Sequence, residues 1–275
     1  MNYKNIFILT FLIFLLPSVS SLASNDDTLS PIYQFYTSVQ YKPSISYFSK
    51  FSPSIQNENI VEILSLKENL SATINNFNIK GGQNYDIKNF ISPYNPTYKN
   101  SPLGIGGAIG VKSNNYRIEL EVFYEEFDLK VPSEYFHKDA YKYFIIKSTP
   151  SHPHHHLFKN NDITVSPVLI NVCYDIPPKN TKIFPYLCFG AGVDVIDFLD
   201  KVHFKVSYQA KIGVSYFILP NLALFVDGSF YSHLSNKFTH IPTINIMDPP
   251  ILPDSSSAKF NVNFLSSSFG IRFIH

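Results

Sequence analysis

Paired carboxylates on one face of a strand are the first candidates for chemistry in this sequence. Glu119 and Glu121 alternate with apolar residues just after Arg117, so all three side chains share one face of a β-strand. Two neighbouring carboxylates can serve general acid–base catalysis. In a narrow β-structure, however, carboxylates beside an arginine more often neutralise one another in a buried polar network. We therefore predict that the protein is not an enzyme.

A second candidate is a histidine cluster, because closely spaced imidazoles can chelate Zn²⁺ or Ni²⁺. Its members are His152, His154, His155 and His156. Pro150 and Pro153 interrupt the segment, and no cysteine lies near it in the sequence. These features favour a solvated loop whose charge changes near pH 6. A metal site remains the alternative, and we predict no cofactor.

The two cysteines, Cys173 and Cys188, flank one tight turn and fall on the same phase of neighbouring predicted strands. A disulfide across the two strands is possible in an oxidising compartment. Two small buried residues, or thiols that pair with other chains, are the alternatives. Nothing in the sequence places a base and an orienting carboxylate beside either thiol, as a catalytic nucleophile requires.

The N-terminus has the three parts of a secretory signal. Lys4 precedes a largely apolar run at 6–16, Pro17 ends that run, and Ser21 and Ala23 are small residues at a cleavage site. The run is too short to span a bilayer. We predict a signal peptide at 1–23 and one mature domain at 24–275. A buried N-terminal helix is the alternative.

Strict alternation of apolar and polar residues predicts about eight β-strands in the mature chain. They lie at 35–47, 103–112, 116–125, 163–174, 183–196, 203–217, 222–231 and 259–273. One face of each strand is apolar, and the other carries nearly all of the charge. The predicted interior polar network consists of Arg117, Glu119, Glu121, Asp194, Lys205, Lys211 and Asp227.

The strand lengths and connections predict a barrel in a membrane. A tilted strand needs about 9–11 residues to cross a bilayer, and the predicted strands reach that length. Short turns at 113–115, 175–182 and 218–221 alternate with long polar loops at 49–101, 126–161 and 232–258, as in outer-membrane barrels. Aromatic residues at strand ends would form the interfacial girdles: Phe35, Tyr47, Tyr116, Tyr124, Phe204 and Tyr216.

The predicted fold is therefore all-β: a transmembrane antiparallel up-and-down β-barrel of about eight strands with long extracellular loops. Extra strands at 72–80 or 140–147 would raise the number to 10–12. A short helix is possible at 61–70. A soluble secreted barrel with its apolar face inward is the alternative, but the low charged content of 16% leaves few residues to cover such a surface.

Four segments resemble one known family. They are FYTSVQYKPSISYFSKF at 35–51, NVCYD at 171–175, YQAKIGVSY at 208–216 and GIRF at 270–273. The chain is similar to the major surface antigen and outer-membrane-protein family of ehrlichia-like obligate intracellular bacteria. The resemblance implies surface exposure, immune recognition by the infected host and, in some members, pore-forming activity. It implies no catalytic residues.

Together these observations predict a surface antigen in the cell outer membrane, whose loops bind host surface factors or antibodies. The alternative is a porin that passes small hydrophilic solutes. Eight strands leave an interior just filled by side chains, whereas aqueous channels need about 16. The partners are then outer-membrane lipid and host molecules, with a homo-oligomer possible. A formal net charge of +1 gives no electrostatic basis for binding nucleic acid.

Overall fold

The computed structural model describes residues 33–56, 59–66, 90–91, 93–132, 140–148, 155–178, 181–243 and 256–275. The regular structure in these ranges is β-strand, apart from one short 3₁₀ turn at Ala140–Lys142. Within the same ranges, no helix is long and apolar enough to cross a membrane. The predicted signal peptide at 1–23 lies outside the described residues and stays a prediction.

Sixteen strands follow one another along the described chain. They are β1 (Gln34–Tyr41), β2 (Ser44–Ser46), β3 (Ser49–Ile55), β4 (Ile60–Leu66), β5 (Phe90–Ile91), β6 (Ile105–Ser113), β7 (Tyr116–Phe127), β8 (Tyr143–Ser148), β9 (His155–Lys159), β10 (Ile163–Asp175), β11 (Ile183–Phe198), β12 (Lys201–Leu219), β13 (Leu222–His233), β14 (Lys237–Thr239), β15 (Ser256–Asn261) and β16 (Phe264–Ile274).

Eight of these strands close into an antiparallel barrel. Their order is β1, β6, β7, β10, β11, β12, β13 and β16, and β16 pairs back onto β1. Tyr36 lies opposite Ile274 on one side and Gly110 on the other, so β1 closes the sheet. Each barrel strand corresponds to one strand predicted from alternation. The prediction of an eight-stranded up-and-down barrel is confirmed.

The outer surface of the barrel is apolar. Exposed side chains on neighbouring strands include Phe189, which is 62% exposed, and Ile212, which is 69% exposed. Exposed aromatic residues lie near the short turns: Phe35, Tyr116, Tyr174, Tyr216 and Phe273. Others lie farther from these turns, at Tyr41, Tyr47 and Tyr208. Such a belt between two aromatic girdles is the surface that a bilayer covers.

Two short turns at opposite ends of the barrel use left-handed backbone. Asn114, in the turn between β6 and β7, has φ 53°, a conformation that asparagine tolerates well. Leu199 and Asp200 join β11 to β12 with φ 55° and 58°. Leucine is costly in this region of φ, but the Leu199 side chain is buried in the hydrophobic core at that end of the barrel.

The long loops carry additional strands that the sequence did not reveal. One small sheet has the order β14, β15, β3, and a second has the order β5, β4, β8, β9. The helix considered at 61–70 is wrong over its first part, because β4 is extended there. The segment 140–147 does contain a strand, but β8 pairs with β4 and β9 outside the barrel. The possible strand at 72–80 lies outside the described residues.

Candidate functional site

The barrel interior near its midpoint holds a cluster of ion pairs. The Nζ of Lys211 lies 2.6 Å from Oε1 of Glu119 and 2.8 Å from Oε2 of Glu121. The Nζ of Lys42 lies 3.7 Å from Glu121, and Nη1 of Arg117 lies 3.5 Å from Glu119. All five side chains are buried. The two carboxylates predicted as a pair are thus neutralised by cations from β7, from β12 and from the link that follows β1.

Neutral side chains complete the hydrogen bonding of the same two carboxylates. Tyr36 donates its hydroxyl to Glu119 at 2.8 Å, and Gln40 donates its amide to Glu121 at 2.7 Å. Asn171 donates to Glu119 at 3.2 Å and to Glu121 at 2.8 Å, and Gln209 donates to Glu121. We call this set the polar layer: Tyr36, Gln40, Lys42, Arg117, Glu119, Glu121, Asn171, Gln209 and Lys211.

Close packing of β1 against β6 supports the polar layer. A Cβ atom at Gly110 would overlap the ring of Tyr36 and come within 2.8 Å of the backbone oxygen of Ile118. Glycine at this position therefore lets the Tyr36 ring lie flat against the barrel wall and reach Glu119.

The other predicted interior residues lie apart from the polar layer. Asp227 accepts a hydrogen bond from Tyr186 at 2.8 Å, and Asp194 accepts one from Tyr231 at 2.8 Å. Asp194 also contacts the ring of His233. The prediction that Lys205 belongs to the network needs correction. Because β12 continues beyond the barrel, Lys205 lies above the lumen, where it donates to the backbone oxygen of Lys237.

Above the polar layer the lumen is closed by stacked aromatic rings. Phe264 stacks on Tyr231 with ring centroids 4.5 Å apart, and it packs against Phe127 at 5.3 Å and Phe123 at 6.3 Å. We call Phe123, Phe127, Tyr231 and Phe264 the aromatic layer. All four are fully buried. Over the described residues, the interior is therefore filled from the polar layer to the aromatic layer.

The long loops continue this core beyond the barrel. Phe51 packs edge-on against Phe144 at 5.5 Å and Phe260 at 5.9 Å, joining segments far apart in sequence. Phe260 stacks on Phe198 at 5.1 Å. We call the assembly of β3, β4, β5, β8, β9, β14, β15 and residues 93–100 the cap. Its described part packs as a folded extension of the barrel core.

A buried polar triad fixes the segment 93–100 within the cap. Tyr98 donates its hydroxyl to Oδ1 of Asn160 at 2.9 Å, and Asn160 donates its amide to the hydroxyl of Tyr94 at 2.7 Å. Burial raises the pKa of both tyrosines well above the ordinary value of a phenol. Both hydroxyls therefore keep their protons over the physiological pH range.

The two cysteines face each other inside the barrel. Cys173 and Cys188 lie directly opposite on β10 and β11 and are joined by a disulfide. Both residues are buried. The structure therefore contains the cross-strand disulfide, which was one of the alternatives that the sequence left open.

The side chains of the histidine cluster lie outside the part of the chain that the structure describes. His152 and His154 lie outside the described residues, and for His155 and His156 only the backbone, in β9, is described. A metal site there stays an untested alternative.

Sequence reasoning omitted several interior residues that the structure brings together. Lys42 and Arg272 both lie on the polar phase of their strands, so alternation could have identified them. Phe123 follows Glu121 on the same phase of β7, and its inward position was implicit in the pattern. Which residues of different strands lie at the same level in the barrel depends on the register between the strands. Alternation within one strand does not define that register.

A closed barrel with an apolar belt, a self-neutralised polar interior and a folded cap at one end is an outer-membrane β-barrel protein. The model of the surface antigen family matches residues 29–275. The chain therefore belongs to the surface antigen family, and its predicted location in the outer membrane, exposed at the cell surface, is confirmed. This result also excludes the alternative of a soluble secreted barrel.

Known proteins resemble the chain to different degrees. Major surface antigen 4 of Anaplasma marginale is 28% identical over 149 residues, which is 54% of this chain and 53% of that protein. The chain thus spans about half the length of this relative. Among solved structures, Neisserial surface protein A is 11% identical with a TM-score of 0.41, covering 88% of this chain and 96% of that chain. OprG from Pseudomonas aeruginosa is 11% identical with a TM-score of 0.45, covering 88% and 95%.

The outer membrane protease OmpT from Escherichia coli is also similar, with 12% identity and a TM-score of 0.31, covering 90% of this chain and 99% of that chain. At such low structural similarity, none of these likenesses carries an argument about function.

Proposed function

We propose that the barrel anchors the cap at the cell surface, where the cap displays a folded epitope surface to host factors and antibodies. The observation that carries this proposal is the continuous aromatic core from the barrel into the cap. A core of this kind holds loops in one conformation, which is the property that specific recognition of a surface requires. Loops that served only as connections would have no need of a buried core.

The packing of the described lumen gives the transport alternative no support. A solute path would have to pass both the aromatic layer and the polar layer, and every side chain of the aromatic layer is fully buried. We also assign no catalytic role to Glu119 and Glu121. Each is held by a cation and by amide or phenol donors, which leaves neither carboxylate accessible to a substrate.

A binding assay with the refolded protein tests the display function. Fluorescent lipid vesicles that carry the protein should bind host cells, whereas protein-free vesicles of the same lipids should not. Antibody fragments raised against the folded protein, and selected for binding to intact expressing cells, should block the interaction because they cover the cap. Equal binding by protein-free vesicles, or binding that these fragments leave unchanged, would contradict the proposal.

A further inference from the structure

The chain contains 20 lysines but only two arginines, Arg117 and Arg272. Both arginines are buried, with exposures of 1% and 6%, and both line one small cavity inside the barrel. The cavity lies at the end of the short turns, which face the periplasm in an outer-membrane barrel. Other side chains that line it include Tyr36, Lys112, Asp175, Phe184, Ser215 and Phe217.

The charges around the cavity leave one cation without a carboxylate. Arg117 donates its Nε to Asp175 at 2.9 Å, and the Nζ of Lys112 lies 3.0 Å from the same carboxylate. Arg117 also contacts Glu119. Among the described residues, by contrast, no carboxylate lies within ion-pair distance of Arg272, whose Nη1 donates to the hydroxyl of Ser215 at 3.1 Å.

Aromatic rings hold the Arg272 guanidinium in place. Its central carbon lies 5.1 Å from the ring centroid of Tyr36, 5.0 Å from that of Phe225 and 5.8 Å from that of Tyr186. Stacking of this kind fixes the plane of an arginine without satisfying its N–H groups. The guanidinium is thus held in one orientation, and the stacking itself uses none of its N–H donors.

Two buried donors are left for a ligand. Nη2 of Arg117 and Nε of Arg272 are both buried, and neither has a hydrogen-bond partner in the protein. A buried, unpartnered donor on a charged group is costly, so two of them beside one cavity favour an acceptor within it. The space within the cavity is about 10 Å³, enough for one water-sized atom.

We propose that this cavity is a carboxylate-binding site that opens to the periplasm. One carboxylate oxygen occupies the cavity and accepts from the two guanidinium groups, whose planar forks match carboxylate geometry. The remainder of the ligand lies at the mouth, beside the aromatic pair of Phe184 and Phe217, whose ring centroids are 5.0 Å apart. The ligand is either a free short-chain acid or the carboxyl end of a periplasmic peptide.

Because the chain has two arginines, selective ¹⁵N-arginine labelling gives two Nε–H resonances that report directly on the site. Refolded protein in zwitterionic micelles is titrated with acetate, with N-acetylglycylglycine and with the neutral isostere acetamide, at constant ionic strength balanced with chloride. We expect both carboxylates to shift the Arg272 Nε–H signal saturably. Tighter binding of the peptide than of acetate identifies a chain end as the ligand, and the reverse identifies a free acid.

Variants assign the signals and test the site. R272K retains the charge but removes one Nε–H resonance, which assigns the other to Arg117. R272Q should weaken acetate binding at least about tenfold, as expected when a charge-assisted hydrogen bond is lost. K182Q removes an exposed charge at the same end of the barrel and outside the cavity, so it should bind acetate as the natural protein does.

Three results would overturn the proposal. The first is a titration of the natural protein in which acetate produces no saturable shift. The second is an equal response to acetamide, which would mean that charge plays no part. The third is acetate binding that R272Q and K182Q change to the same extent, which would indicate a general effect of net charge.

Discussion

Replacing Lys211 with methionine is expected to destabilise the barrel by about 3–5 kcal/mol, the usual cost of removing one partner from a buried ion pair. Lys211 is the only cation within 3 Å of both Glu119 and Glu121 among the described residues. Methionine fills a similar volume but leaves the two carboxylates facing each other in a space from which water is excluded. Urea unfolding in lipid vesicles, followed by far-ultraviolet circular dichroism, measures the loss.

Two further variants separate charge from packing. The double substitution E119Q/K211M removes one charge of each sign, and it should recover most of the lost stability because Glu121 keeps Lys42 and Arg117 keeps Asp175. K182M deletes an exposed lysine at a short turn and should have little effect. If K211M unfolds at the same urea concentration as K182M, Glu119 and Glu121 do not need Lys211 to be accommodated in the barrel interior.

Replacing Phe264 with alanine is expected to have a similarly large effect, because truncation of a buried phenylalanine costs about 3–5 kcal/mol. Phe264 is 0% exposed and contacts the other three members of the aromatic layer. Its removal leaves a cavity at the junction of barrel and cap, so limited proteolysis should also cut the cap faster in this variant. The same urea titration measures the stability.

Leu265 offers a matched control on the next position of β16. Its side chain is 42% exposed on the outer surface, where lipid covers the barrel. Lipid chains fill the space left by L265A, so its cost should be clearly smaller than that of F264A. Equal destabilisation by the two substitutions would mean that the aromatic layer is not a packed core.

The barrel could be predicted from sequence because the alternation that identifies each strand lies within that strand. Each strand alternates with period 2, so the outward and inward faces are visible within about ten residues. On β7, Arg117, Glu119 and Glu121 were placed inside by this pattern alone, and all three are buried. The placement of Cys173 and Cys188 on adjacent strands likewise follows from a short turn, since they are 15 residues apart, although the sequence left their bonding open.

The cap could not be predicted because its contacts are remote in sequence. β3 pairs with β15, and Ser54 contacts Ser257 across a separation of 203 residues. Polar segments rich in serine and asparagine give no local sign of such pairing. Alternation within a strand also does not indicate how far along the barrel axis a residue lies. Lys205 has the inward phase of β12, but only the length of this 19-residue strand places it above the lumen.

In the proposed orientation, the cap is displayed outside the cell while the short turns face the periplasm. Because the two native cysteines are joined in a disulfide, single new thiols can report on each side. Ser235 lies exposed between β13 and β14, and Thr181 lies exposed between β10 and β11. In cells that express S235C or T181C, a membrane-impermeant maleimide should label S235C on intact cells and T181C only after the outer membrane is permeabilised. Labelling of T181C on intact cells, with S235C protected, would contradict this orientation.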